Sequence, residues 1–267
     1  LSVNRYITGR GIEWNNNKNL LLGISELIIY SGENRPIDFS YINPISTHLE
    51  IELNDRPNNP GIDGGNGVWQ FSIDLLLMDK LKISGNYLFD EFVIDKEQKD
   101  EGKGSGRAYS FKTVYTPIKK ENSYFLFHLS NISVGTNTFR HGKGNNNFVQ
   151  RDDPLGWAIG SDSRETNLGF DWLYQKRIIT NLNIGIRNIG EKNFINNLYD
   201  SYTDYSDEPF PSGDVENIQF IYSKVQWWWK PNISIFAQFK YNRSDKIGEN
   251  SESNIGIDIY YGVDKNL

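Results

Sequence analysis

The chain has 267 residues, no cysteine and a formal net charge of −6 at pH 7. The lack of cysteine excludes a disulfide scaffold and a thiolate metal site, and the acidic balance argues against a nucleic-acid partner, because phosphate backbones are bound by basic surfaces. No apolar run reaches the roughly 18 residues of a membrane-spanning helix, but a β-barrel stays allowed, because half of each barrel strand is polar.

The first elements predicted along the chain are strands. Residues 1–14 are interpreted as an irregular strand and residues 20–32 as a regular one. Residues 81–91 alternate strictly, with Ile83 and Tyr87 on one face and Ser84 and Asn86 on the other, because strand side chains point alternately to opposite faces. The same period recurs in residues 69–77, 167–175, 181–187, 233–242 and 254–261.

Such alternation also occurs in soluble β-sandwiches and soluble barrels, which we keep as the alternative. Three features favour a membrane. The alternating runs last about 9–13 residues, whereas soluble strands usually stop near 5 or 6. Aromatic residues such as Trp69, Trp227 and Tyr260 lie toward strand ends, as in the interfacial belts of membrane proteins. Short turns such as residues 79–80 alternate with long polar loops such as residues 96–106, as in outer-membrane barrels.

We therefore predict an all-β fold, a transmembrane antiparallel β-barrel with about 10–12 strands in this stretch. No linker divides the chain, so residues 1–267 are predicted to form one outer-membrane domain. Residues 264–267 follow the last strand without a terminal aromatic signal. We expect the chain to be truncated at one or both ends and to be an incomplete stretch of a larger barrel.

The segment after the second strand is predicted to be an ordered loop. Pro36 and Pro44 cannot donate to a β-ladder and therefore take the chain out of the sheet. Asp38 and Asn43 can cap turns, and Arg35 can pair with Asp38 or with a carboxylate in the barrel lumen. Such pairing would hold the loop against the barrel wall or across its bore. Direct sugar contact by Arg35 or Asp38 is the alternative.

Three patches of sequence resemble the capsule assembly protein Wzi family. The first patch matches at Tyr30, Gly32, Arg35, Pro36, Asp38, Tyr41, Asn43 and Pro44. The second contains Pro154, Leu155 and Gly156, with Ser161 where the family has proline, and the third is the strand end at residues 87–92.

The resemblance implies a non-catalytic lectin barrel in the outer membrane of a Gram-negative bacterium. Its partners would be surface or capsular polysaccharide, which it helps to attach and organise on the cell, and outer-membrane lipid. It implies no cofactor and leaves the oligomeric state open.

Polar side chains on the strands are interpreted as lumen residues. They are Lys82, Asp90, Lys112, Asp171, Arg187 and Lys240. A polar lumen is also what a porin or transporter of small solutes requires. This is the main alternative function.

His128 and Ser130 lie in a His-x-Ser-Asn run that resembles outer-membrane phospholipase A, in which histidine and serine form a catalytic pair facing lipid. Here Phe127 and Leu129 form the apolar face, so His128 is predicted to point into the lumen, and a lipase is the third alternative. The three histidines are scattered, and Asp152, Asp153 and Asp162 match no known calcium loop. We predict no metal site, no catalytic residue and no enzymatic activity.

The long loop of residues 193–213 holds the candidate sugar contacts Tyr199, Tyr202, Asp204 and Tyr205. Aromatic rings beside polar groups in an external loop suit sugar binding. Packing within the loop is an equally good interpretation of these residues.

Overall fold

The computed structural model describes residues 3–48, 50–51, 64–90 and 96–260. Eleven strands form one antiparallel sheet in the order β1-β2-β3-β4-β5-β6-β9-β10-β11-β12-β13, and β7 pairs with β8 separately. The strands are β1 Val3–Asn15, β2 Leu20–Glu33, β3 Asn66–Met78, β4 Leu81–Phe89, β5 Arg107–Lys120, β6 Ser123–Val134, β7 Val149–Gln150, β8 Asp153–Pro154, β9 Ser163–Tyr174, β10 Ile178–Ile189, β11 Glu216–Lys230, β12 Ile233–Ser244 and β13 Gly248–Ile259. The short helices are α1 Lys96–Asp100 and three 3₁₀ turns at Phe39–Ile42, Gly144–Asn146 and Phe194–Asn197.

The all-β antiparallel fold is confirmed, and within the described residues the sheet is not closed, because β1 and β13 each have one neighbour. Residues 1–14 were predicted as an irregular strand, whereas β1 pairs with β2 without interruption from Val3 to Asn15. Strands of the main sheet run from 9 to 15 residues, which is the length needed to cross a bilayer at a tilt. In the described part of the chain, no helix is both long and apolar enough to span a membrane.

The two faces of the sheet differ in chemistry. Facing residues of paired antiparallel strands share a face, and the register places Phe71, Leu168 and Ile184 on one side. We call this side the apolar face, and the opposite side, with Asn86 and Asn183, the polar face. Ile184 is 47% exposed, and a continuous exposed apolar surface of this kind is typical of contact with a membrane or a partner.

The connections also differ between the two ends of the sheet. At one end the strands are joined by tight turns, such as residues 79–80 and 231–232. At the other end lie the longer connections from β2 to β3 and from β4 to β5, together with the loops of residues 135–162 and 190–215. We call this the long-loop end. The predicted alternation of short turns and long loops is therefore present in the structure.

The loop of residues 135–162 folds onto the polar face at the long-loop end. Its Phe139, Phe148 and Val149 are buried against strand residues that include Ile29 and Val68. Asp90, which follows β4, accepts a hydrogen bond from the backbone N–H of Phe139. This loop, together with the strand ends beneath it, forms the main apolar core of the described chain.

The segment of residues 34–48, which we call the strap, folds onto the opposite, apolar face. The Tyr41 ring stacks on Tyr30 with centroids 4.6 Å apart, and Tyr30 stacks on Tyr6 at 5.2 Å. The Arg35 guanidinium lies over the Tyr30 ring, 4.8 Å from its centroid. Asp38 accepts a hydrogen bond from the backbone N–H of Ser40 and caps the first 3₁₀ turn. The strap therefore lies along the wall of the sheet.

The strap covers charged side chains that belong to the apolar face. Glu26 of β2 is buried and makes an ion pair with Arg10 of β1. The same carboxylate contacts the ring of His48 at the end of the strap. Burying a charge is costly unless it is paired and hydrogen-bonded. The strap thus supplies both a partner and a cover for Glu26.

Gly67 of β3 is required where the His48 ring rests on the strand. A Cβ atom at this position would lie 2.6 Å from the ring atoms, so we expect Gly67→Ala to displace the strap and to lower the free energy of unfolding by about 1–3 kcal/mol. Chymotryptic cleavage at Phe39 and Tyr41, together with urea unfolding, measures this effect. Gly85→Ala is the matched control, since its Cβ would lie 3.3 Å from a side-chain methyl group of Ile73. Equal cleavage of both variants would contradict the prediction.

Candidate functional site

A polar cleft of about 400 Å³ lies at the long-loop end, where the loops of residues 135–162 and 190–215 meet. Both loops supply side chains. Its lining residues are Arg140, Asn147, Glu191, Lys192, Asn193, Phe194, Asn196, Asn197, Asp200, Ser201, Tyr202 and Asp204. The cleft is rich in amides, carboxylates and cationic groups, which are the groups that hydrogen-bond to hydroxyl-rich ligands.

Asp162 joins the two loops beneath the cleft. Its carboxylate is fully buried and accepts hydrogen bonds from Thr136 Oγ1 at 2.8 Å, the Ser212 N–H at 2.9 Å and the Lys192 N–H at 3.1 Å. The Ser212 hydroxyl donates as well. Gly190 leaves space for this carboxylate, because a Cβ there would overlap it. A buried carboxylate satisfied by several donors fixes the position of both loops.

Two asparagine side chains hold the walls of the cleft. Asn193 Nδ2 donates to the carbonyl groups of Ile159 and Ser161, at 2.8 and 2.7 Å. Asn147 Nδ2 donates to the carbonyl groups of Leu198 and Asp200, both at 3.0 Å. Each amide therefore links one loop to the other. The walls are defined by buried polar contacts as well as by apolar packing.

Arg140 and Tyr202 form the inner part of the cleft. The Arg140 guanidinium lies 4.2 Å from the centroid of the Tyr202 ring, and its Nε donates to Ser161 Oγ at 3.2 Å. Tyr202 is only 9% exposed, and its hydroxyl donates to Asn137 Oδ1 at 3.0 Å. Burial lowers the pKa of Arg140 and raises the pKa of Tyr202 from their ordinary values.

Arg140 has no carboxylate partner within 4.0 Å among the residues that the structure describes. Its guanidinium carries five donors, of which Nε is used by Ser161. Because this cation is partly desolvated without a paired anion, it can strengthen hydrogen bonds to a ligand oxygen in the cleft.

Lys192 forms the outer wall of the cleft. Its Nζ donates to Asp204 Oδ2 at 2.7 Å and to Glu208 Oε1 at 2.8 Å. These hydrogen bonds raise the pKa of Lys192. The contact with Lys192 and two further hydrogen bonds from Ser206 lower the pKa of Asp204. The pairs are solvent-exposed, so each contributes at most about 1 kcal/mol to stability. They nevertheless keep Lys192 and Asp204 ionised at the outer wall of the cleft.

The candidate sugar contacts fall into two groups. Tyr202 and Asp204 line the cleft. Tyr205 packs against the edge of the Tyr202 ring at 5.4 Å, and Tyr199 lies beneath the guanidinium of Arg5 at 5.9 Å. One face of Tyr202 is taken by Arg140, so this ring offers little free surface as a sugar platform. Tyr199 is 41% exposed and offers more.

The described residues that carry the family resemblance do not line the cleft, and residues 91–92 of the third patch lie outside the described part of the chain. In the strap, Asn43 Oδ1 accepts the N–H of Ile45 at 3.1 Å, and Pro36 and Pro44 are exposed. In the loop of residues 135–162, Pro154 ends β8, and Leu155 packs on the apolar core. Gly156 has φ +94°, a conformation that L side chains rarely adopt. These contacts hold the backbone of both loops.

Of the six residues predicted to line the lumen, five lie on strands and share the polar face, and the sixth, Asp90, follows β4 and accepts a hydrogen bond from the loop of residues 135–162. The register places Lys82, Lys112, Asp171, Arg187 and Lys240 on the polar face. Arg187 pairs with Glu165 at 2.7 Å, and Lys82 pairs with Asp74 at 3.0 Å. Lys240 lies 3.7 Å from Glu252. The polar face thus carries paired charges from neighbouring strands.

His128 lies on the polar face, as does Ser130. The structure places His128 Nε2 3.1 Å from Asn183 Oδ1, two strands away, and its Nδ1 3.9 Å from the carboxylate of Asp171. Gly169 makes this possible, because a Cβ on the intervening strand would collide with the ring.

Sequence reasoning missed Arg140, Asn147 and Asn193 as residues of the cleft, and it considered Asp162 only as a calcium ligand. Arg140 contacts Tyr202 across 62 residues of sequence, from 140 to 202. No spacing rule links the two. In the described chain no group of three or more histidine or acidic residues is arranged to bind a metal ion.

No protein-family model matches the chain, and no curated protein matches its sequence. Among solved structures the chain is similar to Wzi, an outer membrane protein involved in group 1 capsule assembly in Escherichia coli and described as a carbohydrate-binding β-barrel, with TM-score 0.62, 14% identity and coverage of 95% of this chain and 50% of that chain. It also matches the CymD monoaromatic hydrocarbon channel, with TM-score 0.36, 11% identity and coverage of 94% and 72%. LpxR from Salmonella typhimurium follows, with TM-score 0.30, 10% identity and coverage of 94% and 87%.

The chain spans about half the length of Wzi. At this identity the likeness shows the fold, which is a Wzi-like outer-membrane β-barrel fold. The prediction that the chain is not an enzyme is corrected here. At identities of 10–14% the three structures show the fold alone, so the comparisons assign neither a catalytic nor a non-catalytic role to this chain.

Proposed function

We propose that this chain is part of an outer-membrane β-barrel of a Gram-negative bacterium that binds surface or capsular polysaccharide and helps to attach or assemble it on the cell. The observation that carries the proposal is the polar cleft between the loops of residues 135–162 and 190–215. In the proposed orientation the apolar face contacts lipid, and the long-loop end points outward.

The chemistry of the cleft suits a sugar chain. Asn196, Asn197 and Asp200 are exposed on its wall and can hydrogen-bond to hydroxyl groups. Arg140 adds charge-assisted donors at the inner end. The fixed walls reduce the ordering that binding would require, which favours affinity.

The structural likeness to Wzi supports this proposal. That protein is described as carbohydrate-binding and as involved in capsule assembly. The proposed relation covers half of its length. The three sequence patches that resemble the Wzi family support the same relationship. On these two grounds we extend the sugar-binding role to this chain.

A channel for small solutes is the competing function, and the paired charges of the polar face would suit it. The loop of residues 135–162 favours binding over conduction, because it packs on the polar face and buries Phe139 and Phe148 there. A bore filled by loops and side chains does not conduct as an open porin does.

Conductance of the full-length protein in a planar bilayer, with and without the purified surface polysaccharide of its host, tests the proposal. We expect a closed barrel that retains the polysaccharide in a pull-down experiment. A steady conductance that is the same with and without the polysaccharide, together with no retention of polysaccharide in the pull-down, would contradict the binding function and support the channel function.

A further inference from the structure

The strap has a second apolar surface, which faces away from the sheet. Phe39 is 78% exposed and Ile45 is 88% exposed, and Ile37 and Ile42 are each exposed by about half, at 52% and 51%. Single exposed apolar residues are ordinary, but four within nine residues form a patch. None of the four belongs to the buried cluster around Tyr30 and Tyr41 that packs the strap on the strands.

The exposed side of the strap carries almost no charge. Within the fully described segment 34–46, the charged residues are Arg35 and Asp38, and both are partly buried. Arg35 lies over the Tyr30 ring, and Asp38 caps the 3₁₀ turn. The side chains left in contact with the surroundings are therefore apolar or neutral. A surface of this composition suits an apolar partner better than a polar sugar.

The position of the patch identifies that partner. Arg10 Nη1 donates to the Asn43 carbonyl oxygen, so the second half of the strap lies level with Arg10 on the apolar face. The next residues of β1 on this face are Ile12 and Trp14, which are 74% and 55% exposed. Alternate residues of a strand are about 7 Å apart. The patch is thus continuous with the apolar face of the sheet.

We propose that the strap is an interfacial anchor that inserts Phe39, Ile42 and Ile45 among the lipid acyl chains of the leaflet at the long-loop end. The inference rests on the proposed placement of the apolar face in a bilayer, and it adds a membrane contact outside the strands. Side chains of interfacial elements lie about 5–10 Å into the boundary between headgroups and acyl chains.

The anchor also explains the position of the buried charges. Glu26 and Arg10 lie on the face that would meet lipid, where ionised groups are costly. The strap separates them from the surroundings, and its exposed isoleucine and phenylalanine side chains replace them at the surface. The ion pair of Glu26 and Arg10 is thereby covered by a segment whose outer side is apolar.

Site-directed fluorescence tests the proposal, and the cysteine-free chain suits it. Phe39→Cys and Ile45→Cys of the full-length protein are labelled with an environment-sensitive fluorophore and reconstituted in phospholipid vesicles. Ile184→Cys on the apolar face and Ser201→Cys in the exposed loop serve as lipid and water controls. Both strap positions are so exposed that substitution leaves the packing intact.

We expect lipids with a doxyl group near the headgroup to quench the strap probes several-fold more than the Ser201 probe, and iodide to quench them less. Quenching at Ile184 but not at Phe39 or Ile45 would overturn the anchor and leave the barrel in place. A strap probe shielded from both quenchers would indicate a protein partner and also overturn it. Loss of doxyl quenching at Ile184 as well would overturn the membrane placement on which both proposals rest.

Discussion

Arg140→Ala is expected to weaken the retention of surface polysaccharide by about tenfold or more, because hydrogen bonds to charged groups contribute about 1.5–3 kcal/mol. The guanidinium lines the cleft and has no carboxylate partner within 4.0 Å among the described residues, so it is available to pair with a ligand there. Polysaccharide pull-down with the purified variant measures the effect. Circular dichroism establishes that the barrel remains folded.

Two further variants separate binding from structure. Arg151→Ala removes an exposed arginine from the same loop and is expected to retain the polysaccharide as the parent does. Arg140→Lys keeps the charge but lacks the planar fork of donors, and it should fall between the parent and the alanine variant. If Arg140→Ala and Arg151→Ala bind equally, the cleft is not the sugar site.

Asp162→Ala is expected to release both loops of the cleft and to lower the free energy of unfolding by about 3 kcal/mol or more. The substitution leaves the buried donors of Thr136, Lys192 and Ser212 without an acceptor. Hydrogen exchange of the loop amides should rise strongly, while the strands of the sheet stay protected. Limited proteolysis within residues 190–215 should accelerate in parallel.

The matched control is Asp152→Ala, which removes an exposed aspartate from the same loop. Asp152 and Asp162 both have positive φ, at 64° and 53°, so the two alanine variants carry a similar backbone strain. Loop protection in Asp162→Ala equal to that in Asp152→Ala would show that the buried carboxylate does not hold the loops together.

The strands and their faces could be predicted because the signal is local. Ile83 and Tyr87 already alternate with Ser84 and Asn86 in the sequence, and pairing with neighbouring strands preserves that order. Pro36 and Pro44 likewise marked the strap as a departure from the sheet. The side on which the strap lies could not be predicted, because it is decided by the stacking of Tyr41 on Tyr30.

The cleft depended on long-range contacts and was only partly predicted. Tyr202 and Asp204 were identified by residue type in a long loop, and both line it. Arg140 and Asp162 gave no such signal, because their partners lie dozens of residues away and their residue types are common on any surface. Sugar recognition uses ordinary side chains that only folding brings together.

The order of strands in the sheet has a consequence for how the cleft comes into being. The strands of the main sheet are arranged in the order in which they follow one another in the sequence. The sheet can therefore form one hairpin at a time, through contacts of short sequence separation. The cleft cannot form in this way. Asp162 precedes β9, whereas Ser212 precedes β11, so their hydrogen bond spans 50 residues of sequence. The entropic cost of closing this loop falls once β9 and β10 have paired, because pairing shortens the part of the loop that is still free. The cleft is therefore expected to be completed late in folding, after the strands that support it have paired.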